Sequence, residues 1–224
     1  MSANYWKQAV VCWAVSIGLS GVDPVRAEGP VEYPGPAPGA AKASAQDGDI
    51  LLSNGILECK WRIVEGRLKP GYLLNKSLPA VSLRDSECFQ LRLAEGRTLN
   101  ASDLKIVRGP QIDDLGANNA GKQARVFLAT PDDHLAIQWR AELRDGSNYV
   151  RQYVTVVAQA AGVDLRETVL VQLQAEHAEA AGTLDGSPIT VADTYFFAFE
   201  HPLSKVRTRD SKLESTLPRS TPLK

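Results

Sequence analysis

Leu135-Ala136-Ile137-Gln138-Trp139-Arg140-Ala141-Glu142-Leu143-Arg144 is the stretch on which the fold turns. Leu135, Ile137, Trp139, Ala141 and Leu143 take every second position, and Gln138, Arg140, Glu142 and Arg144 alternate with them. In an extended chain successive side chains point to opposite faces, so this period of two makes one dry and one wet face. A helix would need apolar positions three and four apart instead. Asp145-Gly146 follows at once, and Tyr149 to Val157 resumes a β-branched and aromatic run, which predicts a hairpin.

The same period recurs on both sides. Upstream, Leu57, Cys59, Trp61 and Ile63 alternate with Glu58, Lys60 and Arg62 before Glu65-Gly66, and Phe89, Leu91 and Leu93 alternate with Gln90 and Arg92 before Glu95-Gly96. Downstream, Leu165, Val169, Val171 and Leu173 share a phase within Val163 to Gln174. Shorter strands are predicted at Leu104 to Val107, Ala124 to Ala129, Ile189 to Ala192 and Thr194 to Phe199. Ala175 to Ala181 has helical composition but stops at Gly182, so a short helix or a polar excursion fits it. Many strands joined by short polar turns predict an all-β fold, an antiparallel β-sandwich or barrel, and set aside an α/β fold.

The termini have a different composition. Lys7 precedes the apolar run Ala9 to Val22, and Val25-Arg26-Ala27 closes it, the three-part pattern of a signal peptide over residues 1–27 cut after Ala27. The run carries Ser16, Gly18, Ser20 and Gly21 and is too short for a bilayer-spanning helix, so no membrane attachment is expected after cleavage. Residues 28–48, with Pro30, Pro34, Pro36 and Pro38, read as a disordered Pro/Gly/Ala-rich leader. The sandwich domain is expected over 49–206 and a polar connector over 207–224.

The 224 residues are 44% hydrophobic and 23% charged with net charge −1, enough for a core and no basis for binding phosphate backbones. Nucleic acid is therefore excluded as a partner. Export would remove Cys12 and leave Cys59 and Cys88 in a compartment that tolerates disulfides. They read either as one bridge or as two buried apolar side chains.

Catalytic chemistry is sparse. Gly-x-Ser-x-Gly, the phosphate-cradling Gly-rich Lys-Ser/Thr loop and Gly-x-Gly-x-x-Gly are all absent from the sequence. His134, His177 and His201 are scattered, and Asp132-Asp133-His134 reads as a polar turn, so no metal site, cofactor or catalytic residue is assigned. Glu167 shares the inward phase of its strand and would need an arginine partner. Glu200 and His201 end the aromatic strand Tyr195 to Phe199 before Pro202, a position from which side chains can reach a ligand at a sheet rim. They are the candidate carbohydrate-binding residues. Asn75-Lys76-Ser77 and Asn100-Ala101-Ser102 fit the N-glycosylation pattern.

Four segments carry a resemblance: Asn54 to Trp61, Gly66-Arg67-Leu68, Asp145 to Gln152, and Phe197 to Leu203. Together they resemble the N-terminal β-sandwich, of the galactose-mutarotase-like super-sandwich type, that precedes the catalytic barrel in bacterial proteins related to α-galactosidases and endo-α-N-acetylgalactosaminidases. Some of these carry the label "enterotoxin". The resemblance implies a non-catalytic module of an exported, periplasmic or extracellular carbohydrate-active protein that packs against or assists a catalytic barrel. It also implies that this chain, whose Leu217 to Lys224 tail reads as a connector, stops before the barrel and is a fragment incomplete at its C-terminal side. The alternatives are an autonomous sugar-binding or mutarotase-like protein and a purely structural exported domain.

Overall fold

The computed structural model describes residues 6–15, 35–116, 119–161, 163–174, 177–192, 194–210 and 212–219. Among them are eighteen strands, a 3₁₀ turn at Ala101–Asp103 and no α-helix, so the chain is all-β and its strand pairs are antiparallel. The strands form three sheets.

The first sheet is a meander of β2 (Lys42–Gln46), β3 (Asp49–Ser53), β4 (Leu57–Val64), β5 (Arg67–Asn75) and β6 (Val81–Ser82). Two tight turns fold it. Asp47-Gly48 has φ of 51° and 79°, and Glu65-Gly66 has φ of 51° and 71°, the doubly left-handed conformation that matches the twist of a two-residue hairpin. Pro70 and Gly71 lie within β5, opposite a bulge between Lys60 and Trp61, where the ladder is already irregular.

The composite sheet gathers β7 (Gln90–Leu93), β8 (Thr98–Asn100), β13 (Leu165–Leu173), β17 (Lys205–Arg209) and β18 (Lys212–Pro218) in the order β17-β18-β13-β7-β8. The large sheet has eight strands in the order β14-β15-β16-β1-β12-β11-β10-β9. These are β1 (Trp6–Val15), β9 (Lys105–Asp114), β10 (Gly121–Ala129), β11 (Leu135–Arg144), β12 (Tyr149–Ala158), β14 (Ala178–Ala180), β15 (Ile189–Val191) and β16 (Tyr195–Phe199).

The large sheet receives the meander over β9, β10 and β11, and the composite sheet over β1, β14 and β16. One buried cluster runs through all three sheets, from Ile50, Leu57 and Trp61 through Ile137 and Trp139 to Phe197, Leu91 and Leu165. Burying each large apolar side chain of this set contributes roughly 1.5–3 kcal/mol. The other face of the large sheet is wet and carries Arg–aromatic pairs, with the Arg140 guanidinium 4.1 Å from the Tyr153 ring centre and that of Arg108 3.9 Å from Phe127. The layered, sandwich-like packing and the alternation in β4, β11 and β12 agree with the sequence reading.

Three expectations are corrected. Residues 42–46, expected in a disordered leader, are strand β2, and Pro38, Gly39 and Ala41 are already anchored by bonds to Gly55, Gly146 and Asp145. Residues 212–218, expected in a polar connector, form β18, which pairs with β17 on one side and β13 on the other. Its Glu214, Ser215 and Thr216 are buried, and a buried polar strand leaves no hydrophobic alternation to read. Ala178–Ala180, within the segment that reads as a short helix or a polar excursion, is a short strand beside β15. Trp6–Val15, inside the expected signal peptide, is a strand with a neighbour on each side, whereas the expected cut at Ala27 lies outside the described residues. No helix among the described residues is long and apolar enough to cross a membrane.

Candidate functional site

Polar side chains converge on one face of the composite sheet because of its register. Arg92 on β7 stands opposite Glu167 on β13, Gln172 on β13 opposite Glu214 on β18, and Glu214 opposite Arg207 on β17. Leu91 and Leu93, one residue out of phase with Arg92, face the core instead. Arg92 donates from Nη1 to Glu167 at 2.7 Å, and from Nη2 to the two carboxylate oxygens of Glu214 at 2.7 and 2.8 Å. Arg207 reaches both carboxylates as well. Two guanidinium groups against two carboxylates leave the cluster neutral. Burial alone would lower the Arg92 guanidinium, but its bonds to Glu214 and Glu167 outweigh that and hold it above its ordinary value. Glu167 thus has the expected arginine partner, but a bulge between Leu165 and Glu167 takes it out of the inward phase of Leu165 and onto the face of Arg92.

This cluster anchors the floor of a recess of about 350 Å³. Gln90 accepts from Arg92 at 3.1 Å through Oε1 and donates to Asn100 Oδ1 at 2.8 Å, while Gln172 donates to Glu214 at 3.1 Å. Both amides are therefore held in one orientation and line the recess together with Asn100. Its wall comes from Lys69 on β5, residues Arg84 to Glu87 before β7, and Asp210 and Lys212 at the β17–β18 turn. Glu87 accepts from Ser102 Oγ at 2.7 Å and its amide at 3.1 Å, and Lys212 Nζ donates to the Asp85 carbonyl at 2.5 Å.

Three amides, three cations (Lys69, Arg84, Lys212) and three carboxylates (Asp85, Glu87, Asp210) make a lining that both donates and accepts and has no net charge. Such a surface suits a neutral ligand rich in hydroxyl groups better than a phosphate or a metal ion. Among the described residues, no histidine, cysteine or aromatic side chain lines it. Among the described residues, no group of three His, Cys, Asp or Glu side chains could hold a metal ion.

Glu200 and His201 lie elsewhere. Glu200 is paired with Arg151 at 3.2 Å across the end of β12, and His201 Nδ1 accepts the Leu203 amide at 3.1 Å. Neither lines the polar recess nor the apolar one of about 470 Å³ walled by Leu78 to Ser82 and Tyr195. Asp132-Asp133-His134 is an exposed turn between β10 and β11, in which Asp132 accepts the His134 amide at 3.1 Å. A hydrogen bond from Thr130, then that amide, hold the Asp132 carboxyl below its ordinary value.

Cys59 and Cys88 are free and buried. Burial pushes both thiols well up, and the nearness of Cys88 raises Cys59 further. Asn75 is also buried, with Oδ1 accepting the Ser77 amide, so it is sealed against a glycan in the folded chain.

The recess residues were not found from the sequence. They come from five separate stretches with no fixed spacing, and the nearest local signal, Gln90 and Arg92 on the wet phase of β7, reads as ordinary surface. Comparison with family models, with curated proteins and with solved structures finds no match.

Proposed function

We propose that this chain is a non-catalytic β-sandwich module of an exported carbohydrate-active protein, packing against or assisting a catalytic barrel on another part of that protein. The observation that carries the reading is the neutral, amide-rich recess, whose floor is pre-set by the Arg92 cluster. A site of fixed amides with charged groups of both signs offers hydroxyl groups partners without selecting for net charge.

The test is a titration of the full chain with galactose, N-acetylgalactosamine and α-galactosides, followed by amide chemical shifts. Changes centred on Gln90, Asn100, Gln172 and Lys212, weakened in Asp210→Asn, are expected. Asp210 has φ of 49°, which asparagine also tolerates, so that variant changes charge and leaves the turn intact. Unchanged spectra at millimolar sugar would overturn the carbohydrate reading in favour of a purely structural domain.

A further inference from the structure

The N-terminal strand occupies an unusual place for a segment with the pattern of a signal peptide. β1 is an interior strand of the large sheet, antiparallel to β12 from Trp6 opposite Val156 to Ala14 opposite Tyr149, and antiparallel to β16 from Val11 opposite Phe199 to Val15 opposite Tyr195. No ladder joins β12 to β16 directly. Cleavage after Ala27 would therefore leave two facing strand edges two spacings apart, about 9.5 Å, each with a row of unpaired N–H and C=O groups.

The walls of that gap are held from outside it. β12 is paired along its length with β11, and β16 is paired with β15 and packs on β13 and β18 of the composite sheet. The rows across the gap are also buried on the core side. Val150 and Phe197 flank one register position, and Gln152 and Phe199 the next, and all four side chains are buried. Unpaired backbone edges over such a lining are costly to leave open, and a strand is the group that satisfies both edges at once.

We propose that the β12–β16 gap is a strand-acceptor slot. Trp6–Val15 fills it in the unprocessed chain, and in the processed chain an extended polypeptide strand of about ten residues, apolar at the positions flanked by Val150 and Phe197 and by Gln152 and Phe199, takes its place antiparallel to both walls. This rests on the export reading of residues 1–27. It names the contact through which the module would join a polypeptide partner: main-chain bonds supply affinity, and the buried β12 row and the aromatic β16 row supply the side-chain preference.

The experiment uses the full chain with a specific protease site introduced between Ala27 and Tyr33. The folded protein is cut, passed through gel filtration and analysed by mass spectrometry and amide exchange. The N-terminal fragment is expected to stay bound and to be displaced by labelled Trp6–Val15 peptide but not by a scrambled peptide. Its removal in mild denaturant is expected to speed exchange in Tyr149–Ala158 and Tyr195–Phe199 by about tenfold or more. Loss of the fragment on cutting with exchange in both walls unchanged would overturn the slot, as would equal capture of the scrambled peptide. The export reading is checked separately by the first residue of the secreted chain. A secreted chain beginning with Met1 would overturn the exchange of occupants, while retention of the cut fragment would still support the slot.

Discussion

Trp61 and Trp139 meet edge to face, ring centres 5.0 Å apart and planes at 69°, and both indole N–H groups donate to one oxygen, Oε1 of Gln152. Trp61 belongs to the meander, Trp139 and Gln152 to the large sheet, so this one acceptor ties two layers together. All three side chains are essentially inaccessible to water. An amide oxygen with two lone pairs is the simplest group that satisfies two converging donors in such a place.

Gln152→Leu keeps the volume and removes the acceptor. Leaving buried indole N–H groups without it is expected to cost about 1–3 kcal/mol, read as a lower urea midpoint at unchanged slope. Trp139→Ala is expected to cost more, about 3–5 kcal/mol, since it also opens a cavity. A midpoint for Gln152→Leu equal to that of the parent chain would show that the shared acceptor contributes nothing.

Arg92→Met isolates Glu167 and Glu214 in a buried face, with the half-exposed Arg207 and the Gln172 amide left to them. Breaking a buried pair on one side is expected to cost about 3–5 kcal/mol. Replacing Arg92, Glu167 and Glu214 together by methionine or leucine is expected to restore most of it, because the buried charges are gone and the half-exposed Arg207 that remains can be solvated. Urea unfolding of the single and triple variants decides between a cluster needed for stability and one that merely compensates itself.

Tyr72 donates its hydroxyl to Glu58 at 2.5 Å, and that bond first, then burial and the Glu58 charge, push the phenol from 10 up to about 12. Below pH 10 the phenol is protonated in both folded and unfolded chains and the bond contributes in full. As pH rises from about 10 to 12 the unfolded chain ionises first, so stability is lost across that window. Tyr72→Phe is expected to show a shallower fall of the urea midpoint between those two pH values, and parallel curves would refute the assignment.

Glu65 at φ 51° and Gly66 at φ 71° make the β4–β5 turn. Glu65→Asn is expected to stabilise by a few tenths to about 1 kcal/mol, because asparagine tolerates the left-handed conformation better, and Gly66→Ala to destabilise by about 1 kcal/mol. Thermal unfolding of the two variants should move in opposite directions.

Residues that alternate cleanly, such as those of β4, β11 and β12, were legible because one of their faces is dry and the other wet. β2 was hidden by the proline-rich stretch before it and by the small residues Ala43, Ser44 and Ala45, although Asp47-Gly48 is itself a hairpin signal. β18 was hidden for a different reason. Glu214 is buried because Arg92, more than a hundred residues earlier, meets it, and no local pattern reports such a partner. The recess shares that limitation, since Gln90, Gln172 and Lys212 meet only through sheet register and Lys69 comes from a different sheet. Glu200 and His201 drew notice as the polar end of an aromatic strand, and Arg151 accounts for Glu200 without any ligand.

The three sheets differ in how far apart their strands lie along the chain. The meander needs only residues 42–82, each strand pairing with the next, whereas the composite sheet joins residues 90–100 to 165–173 and 205–218. Loops close more slowly as they lengthen, so the meander is placed to form early, by successive hairpins, and the composite sheet late. During synthesis Arg92 emerges well before Glu214 exists, and until β18 docks on β13 its guanidinium lacks the Glu214 carboxylate. The step that neutralises the cluster is thus also the step that closes the composite sheet, which makes completion of the polar floor a late checkpoint in folding.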